Sequence, residues 1–317
     1  MRTGALARLL ASAAAIGGGV AYLRFRREMA HRITILARNG TIAETSAGLI
    51  EYAEQGSGRP ALVIHGAGGG YDQGLMIGES LSGTCRVIAP SRFGYLRTPV
   101  PEDHSPAAQA DAHAALLDHL GIERAVVMGA SAGAPSAIEL ALRHPDRVAA
   151  LILLMPRSYD PADSMSVDAR PESRFVLRLI EGSADFLFWT ARHVARRWIV
   201  RFMGTPPEVE ANAPAAEREQ VSRVIDSLLP LSRRAKGVAI DSNTILAPWP
   251  LERIAAPTLV ISAEDDLFNS LPGARYTADR ITGAWLEVLG SGGHLIVGQR
   301  QRVSEVVAEF LRELPED

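Results

Sequence analysis

Residues 125–133 read AVVMGASAG: a short apolar run, a turn with serine flanked by glycines, and the opening of a helical stretch that continues to Arg143. A serine between a strand and a helix sits on a sharp turn. Small residues two positions away on either side, here Gly129 and Gly133, avoid the clashes such a turn creates. The hydroxyl of Ser131 then faces the carboxyl edge of a sheet, beside a helix N-terminus that favours developing negative charge.

Outward from this turn, short apolar runs alternate with helical stretches. Strands are expected at 61–65 (ALVIH), 86–90 (RVIAP), 125–128 (AVVM), 148–155 (VAALILLM), 258–262 (TLVIS) and 285–289 (WLEVL). The runs are nearly continuous rather than alternating, as strands covered on both faces should be. Ser105-Pro106 opens a helix that ends near His119, with Gly121 just beyond it. Further helices are expected at 132–143, 273–281 and 300–314. The alternation implies an α/β fold, a mostly parallel sheet flanked by helices. It is interrupted once, over 157–250, where helical patterns occur without a convincing strand, so this stretch reads as an inserted helical cap. The expected division is a leader at 1–32, a core at 33–156 and 251–317, and the cap between.

Composition narrows the function. The chain has 317 residues, 47% hydrophobic and 22% charged, with one Cys and a net charge of −3. That excludes disorder and a polytopic membrane protein, gives no basic field for nucleic acid, and leaves no internal disulfide or Cys-based zinc site. The charge is uneven. Residues 1–32 hold six arginines against Glu28, a net of +5, which leaves −8 for the rest. Between Arg8 and Arg24 lies the uncharged run LLASAAAIGGGVAYL, roughly 22 Å as a helix. Extended toward Gly4 it reaches spanning length, so a membrane contact through residues 4–27 is expected, with the Arg cluster keeping the catalytic part cytoplasmic. A cleaved export signal and a soluble helix are the alternatives.

Three further motifs complete a chemistry. HGAGGG at 65–70 follows a strand, and a glycine-rich loop there turns backbone N–H groups inward. Ala67 and Ala132 are the expected oxyanion donors. A serine nucleophile needs a base, and His294, in SGGH after the last strand, lies downstream of both the serine and an acidic strand end. Glu264, Asp265 and Asp266 follow the strand TLVIS and supply the orienting acid, any one of the three by position alone.

The chain resembles the α/β-hydrolase fold family across nearly everything after residue 40. HGAGGG, GASAG, SAEDD at 262–266 and SGGH at 291–294 occur in that family's order of oxyanion loop, serine, acid and histidine. The resemblance implies Ser131 as nucleophile, His294 as base and Asp266 as acid, with Asp265 in reserve, and a cap where 157–250 falls. It implies a serine hydrolase acting on a carboxylic ester or lactone without metal or organic cofactor. A carbon–carbon bond hydrolase or cofactor-free perhydrolase with the same triad is the alternative, and a ligand-binding receptor on this fold is another. Serine at the elbow separates the chain from epoxide hydrolases and haloalkane dehalogenases, which carry Asp there. HGAGGG lacks the proline common in carbon–carbon hydrolases. PSRFGYLRTP at 90–99 lies at the expected pocket mouth, where Arg92 carries no assigned role. Trp189, Trp198, Trp249, Phe175, Phe186, Phe188 and Phe202 concentrate in the cap. They suit either an apolar substrate group or simple packing of the cap.

Overall fold

A strand buried on both faces has no reason to alternate in polarity, and the six apolar runs form six neighbouring strands of one sheet, the last of them at its edge. The computed structural model describes residues 2–161 and 184–314, with side chains from residue 17 onward. Its strands are β1 (Thr41–Thr45), β2 (Gly48–Gly56), β3 (Arg59–Ile64), β4 (Cys85–Pro90), β5 (Ala125–Ala130), β6 (Val148–Leu154), β7 (Thr258–Ala263) and β8 (Trp285–Leu289). They lie in the order β1-β2-β4-β3-β5-β6-β7-β8. Only the β1–β2 and β2–β4 pairs are antiparallel; the other five are parallel.

Period two sends neighbouring residues to opposite faces. On β5, Ala125 and Val127 join one core with Leu62, Ile64, Leu151 and Leu153. Val126 and Met128 join the other with Val63, Ile152 and Ile261. Helices α3 (Pro106–His119), α4 (Ala134–Arg143) and α10 (Leu271–Arg280) cover the first face, and α11 (Arg300–Arg312) covers the second. Helix α3 starts as expected, with the Ser105 hydroxyl accepting the Ala108 N–H and proline in the first turn. This register brings the carboxyl ends of β3, β5, β7 and β8 to one edge. The loops after those strands carry the four motifs.

Between β6 and β7 the described residues hold α5 (Asp185–Val194), α6 (Arg196–Phe202), α7 (Pro207–Asn212), α8 (Ala215–Ser227) and α9 (Ala235–Asn243), and no strand. Residues 162–183 of the expected cap, Phe175 among them, lie outside the described residues.

Four features differ from the sequence-based expectation. The hairpin β1–β2 and the helix α2 (Tyr71–Ile77) had no counterpart in it. In the hairpin the apolar signal is blunted by Glu51, which is buried against Arg97 with Nε–Oε1 at 2.6 Å. The leader does not stop at residue 32, because α1 runs from Arg2 to Asn39. The expected membrane span finds no support. Among the described residues no helix is long and apolar enough to cross a membrane. The second half of α1 packs on the protein instead. Phe25 and Met29 are buried against the insertion, and the Phe25 ring lies 5.2 Å from Phe186 and 6.0 Å from Trp189. Glu28 accepts the Trp189 indole N–H at 2.7 Å and pairs with Arg192, also at 2.7 Å.

Replacing Phe25 with Ala removes the ring around which this contact is built, at a cost of about 3 kcal/mol. Trypsin is expected to cut the variant after Arg24, Arg26, Arg27 and Arg32 faster than it cuts the parent. The remaining core should melt within a few degrees of its original midpoint. Equal cleavage rates for the two proteins would contradict a docked α1.

Candidate active site

Ser131 follows β5 directly with a left-handed backbone, φ 49°, a conformation that costs a non-glycine residue on the order of 1 kcal/mol. The flanking glycines follow from contact distances. A Cβ on Gly129 would lie 2.6 Å from that of Ala137, and one on Gly133 would lie 2.6 Å from the Ile64 and His65 carbonyl oxygens. A short 3-10 turn over Ser131–Gly133 then leads into α4. The Ala132 N–H belongs to the first turn of this helical stretch, where amides lack intrahelical acceptors.

The structure brings Ser131, His294 and Asp266 together. Nδ1 of His294 lies 2.9 Å from Asp266 Oδ2, and Nε2 lies 2.8 Å from Ser131 Oγ. With Asp266 ionised, Nδ1–H donates to it, and Nε2 is left to accept the serine proton. Asp266 also accepts the Phe268 N–H at 2.9 Å and the Ser270 hydroxyl. Burial by itself would raise its pKa, but the His294 imidazole and these donors hold the carboxyl below its ordinary value. Asp265 has a different task, accepting the Gly293 N–H at 2.8 Å and the Gly292 N–H at 3.2 Å. The two adjacent carboxylates thus divide the work, one on the imidazole and one on its loop.

The oxyanion loop can be accounted for amide by amide. Gly66 N–H donates to Gln73 Oε1 at 3.0 Å, Gly68 N–H to the Tyr95 hydroxyl at 3.2 Å, and Gly69 N–H to the Gly66 carbonyl at 3.3 Å. Among the described residues, the Ala67 N–H has no acceptor. Gly66 lies against Ser131, since a Cβ there would be 3.2 Å from Ser131 Cβ.

The insertion reaches this site through a turn invisible in the sequence. The Gly204 carbonyl accepts the Leu267 N–H at 2.9 Å and the His294 N–H at 3.0 Å, and Thr205 Oγ1 accepts the Leu295 N–H at 3.1 Å. One carbonyl therefore ties the loop of Asp266 to the loop of His294. Gly204 has φ 79°, and a Cβ on it would meet His294 Cβ at 2.6 Å. Ser270, Gly204 and Thr205 lie in no motif; the only signal was a glycine between helical stretches.

The insertion's described aromatic residues named above pack elsewhere. Phe186 and Trp189 meet α1, Phe188 is buried within the insertion, and the Trp249 indole donates to Glu139 at 2.7 Å. Trp198 stacks on Phe202. A ring that does touch the site is Phe268, edge-on to His294 at 4.7 Å. Among the described residues no group of His, Cys, Asp and Glu is placed to hold a metal ion.

A family model described as the alpha/beta hydrolase fold matches residues 60–300. The chain is 33% identical over 272 residues to the 2-hydroxy-6-oxo-6-phenylhexa-2,4-dienoate hydrolase of Comamonas testosteroni, covering 84% of this chain and 92% of that protein. Among solved structures it is similar to an alpha/beta hydrolase fold protein from Nakamurella multipartita. The TM-score is 0.65 and the identity 30%, over 86% of this chain and 99% of that one. It is also similar to a thermophilic esterase from Thermogutta terrifontis, with a TM-score of 0.62 and 26% identity over 87% of this chain and 98% of that one.

The lowered pKa of Asp266 makes a prediction about stability. Its folded-state value lies below the unfolded one, about 3.9, so its contribution is complete above that value and is lost as pH falls through the folded-state value. In urea denaturation the gap between the parent and Asp266→Asn should narrow as pH drops below about 4. A gap that stays constant down to pH 2 would contradict this.

Proposed function

The chain belongs to the α/β-hydrolase fold family, and from that premise we propose that it is a serine hydrolase cleaving a carboxylic ester or lactone through Ser131, His294 and Asp266. The observation that carries the reading is the continuous chain of hydrogen bonds from Ser131 Oγ through the imidazole to Asp266. His294 Nε2 takes the hydroxyl proton as Oγ attacks the carbonyl carbon. The carbonyl oxygen, now negative, is held by the N–H groups of Ala67 and Ala132, each worth about 3 kcal/mol in the transition state. The protonated imidazole returns its proton to the leaving alkoxide, which departs as the alcohol. A water then gives its proton to His294 and attacks the acyl-serine, releasing the acid and restoring Ser131. Asp266 keeps the imidazole in the tautomer that accepts at Nε2.

A second reading keeps the same residues and changes the bond: hydrolysis of a carbon–carbon bond in a dienoate diketone. The similarity to the Comamonas testosteroni dienoate hydrolase favours it. An apolar substrate group draws no support from the insertion's described aromatic residues, which pack away from Ser131.

A fluorophosphonate is expected to label Ser131, and Ser131→Ala to abolish both labelling and turnover of p-nitrophenyl esters. Asp266→Asn should lower kcat by on the order of 10⁴. Product analysis by mass spectrometry on an ester and on an aryl dienoate then tells the two bonds apart. An unlabelled Ser131, with ligand still bound, would leave a receptor instead of an enzyme.

A further inference from the structure

Arg92 and Asp241 are buried, 6% and 8% exposed, and no step of the reaction above uses either. A buried charge pair is expensive to desolvate and is seldom retained for stability alone. The pair links two parts of the chain that meet only in the fold. Arg92 follows β4, and Asp241 sits on α9, the last helix of the insertion. Nη1 and Nη2 of Arg92 each lie 2.7 Å from one Asp241 carboxylate oxygen.

The rest of the guanidinium is spent on the oxyanion loop. Nε donates to the His65 carbonyl at 3.0 Å and Nη2 to the Gly66 carbonyl at 3.2 Å. The Arg92 backbone N–H donates to His65 Nε2 at 3.0 Å, which leaves Nδ1–H to donate to the same Gly66 carbonyl at 2.7 Å. Burial pushes the His65 pKa well down, with the Arg92 charge adding to the effect, so the ring stays neutral in this tautomer. In a trans peptide the C=O and N–H point in opposite directions. Once the Gly66 oxygen is drawn toward His65 and Arg92, the Ala67 N–H must face the other way.

We propose that the Asp241–Arg92 pair positions the oxyanion hole: Asp241 holds the guanidinium on the Gly66 carbonyl, and that grip sets and polarises the Gly66–Ala67 peptide whose N–H receives the developing charge. Tyr95 completes the device, donating its hydroxyl to Asp241 while accepting the Gly68 N–H. Helix α9 is pressed onto the loop that carries Arg92 and Tyr95, since a Cβ on Gly94 would lie 2.7 Å from the Gly237 nitrogen. Arg92 is a positioning residue. Four of its five guanidinium N–H groups are engaged, so it is not an anchor for a substrate anion.

The inference rests on the serine-hydrolase reading, and the experiment separates the two. With p-nitrophenyl esters and the full chain, an active parent and an inactive Ser131→Ala support that reading and leave the pair alone on trial. A parent that turns over neither ester nor dienoate overturns both. Asp241→Asn and Arg92→Lys are then expected to lower kcat by roughly 10²–10³-fold, with KM changed less than about threefold. The rate of fluorophosphonate labelling should fall in parallel. The double variant Arg92→Met with Asp241→Leu removes both charges together, which buried pairs tolerate better than loss of one partner. It should melt near the parent and show the same loss in kcat. Tyr95→Phe, the mildest change, should lower kcat by about tenfold. A folded double variant with kcat within threefold of the parent overturns the proposal. So does a loss confined to KM, or a Tyr95→Phe protein with unchanged kcat.

Discussion

The left-handed turn at Ser131 is the constraint on which the rest of the site depends. A residue at φ 49° can present its side chain above the sheet edge only if the strand before it and the helix after it approach closely. That approach excludes side chains at Gly129 and Gly133, and it brings Gly133 against the Ile64 and His65 carbonyls. The strand leading to Ser131 and the strand leading to the glycine-rich loop at 65–70 therefore pair directly, with Ile64 opposite Gly129. The strain at Ser131 is repaid by core packing on both faces of β5.

Asp266, His294 and the loop at 65–70 are not held by the sheet alone. Gly204 bonds the loops of Asp266 and His294 through one carbonyl, and Asp241 reaches the oxyanion loop through Arg92. Both come from the insertion between β6 and β7. Its contribution is geometric as well as steric, because it sets the angle at which the catalytic candidates meet. Helix α1 braces the insertion through Phe25, Met29 and Glu28.

Much of this was legible in the residues. Each apolar run from Ala61 to Leu289 became a strand, to within one or two positions at either end. Legibility failed where a local pattern was diluted or its meaning depended on a distant partner. The hairpin β1–β2 was missed because Glu51 occupies a buried position that only Arg97 makes tolerable. The leader's uncharged run suggested a membrane span because nothing in it announces that Phe25 and Met29 bury against the insertion. The insertion's rings left a pocket lining and simple packing equally open, and Phe186, Trp189 and Trp249 pack against α1 and α4.

From sequence alone came the α/β class, the serine turn and the order of oxyanion loop, serine, acid and histidine. Periodicity and turn chemistry are local properties, carried by residues a few positions apart. The resemblance named Asp266 and the loop named Ala67, but only the tertiary structure shows the contacts that set Asp266 on the imidazole, leave the Ala67 amide without an acceptor among the described residues, and hold Arg92. Each of these depends on a contact across a long loop: Asp266 to His294 over 28 residues, Ser131 to His294 over 163, Arg92 to Asp241 over 149. Sequence spacing carries no record of such distances, because they exist only once the chain has closed on itself.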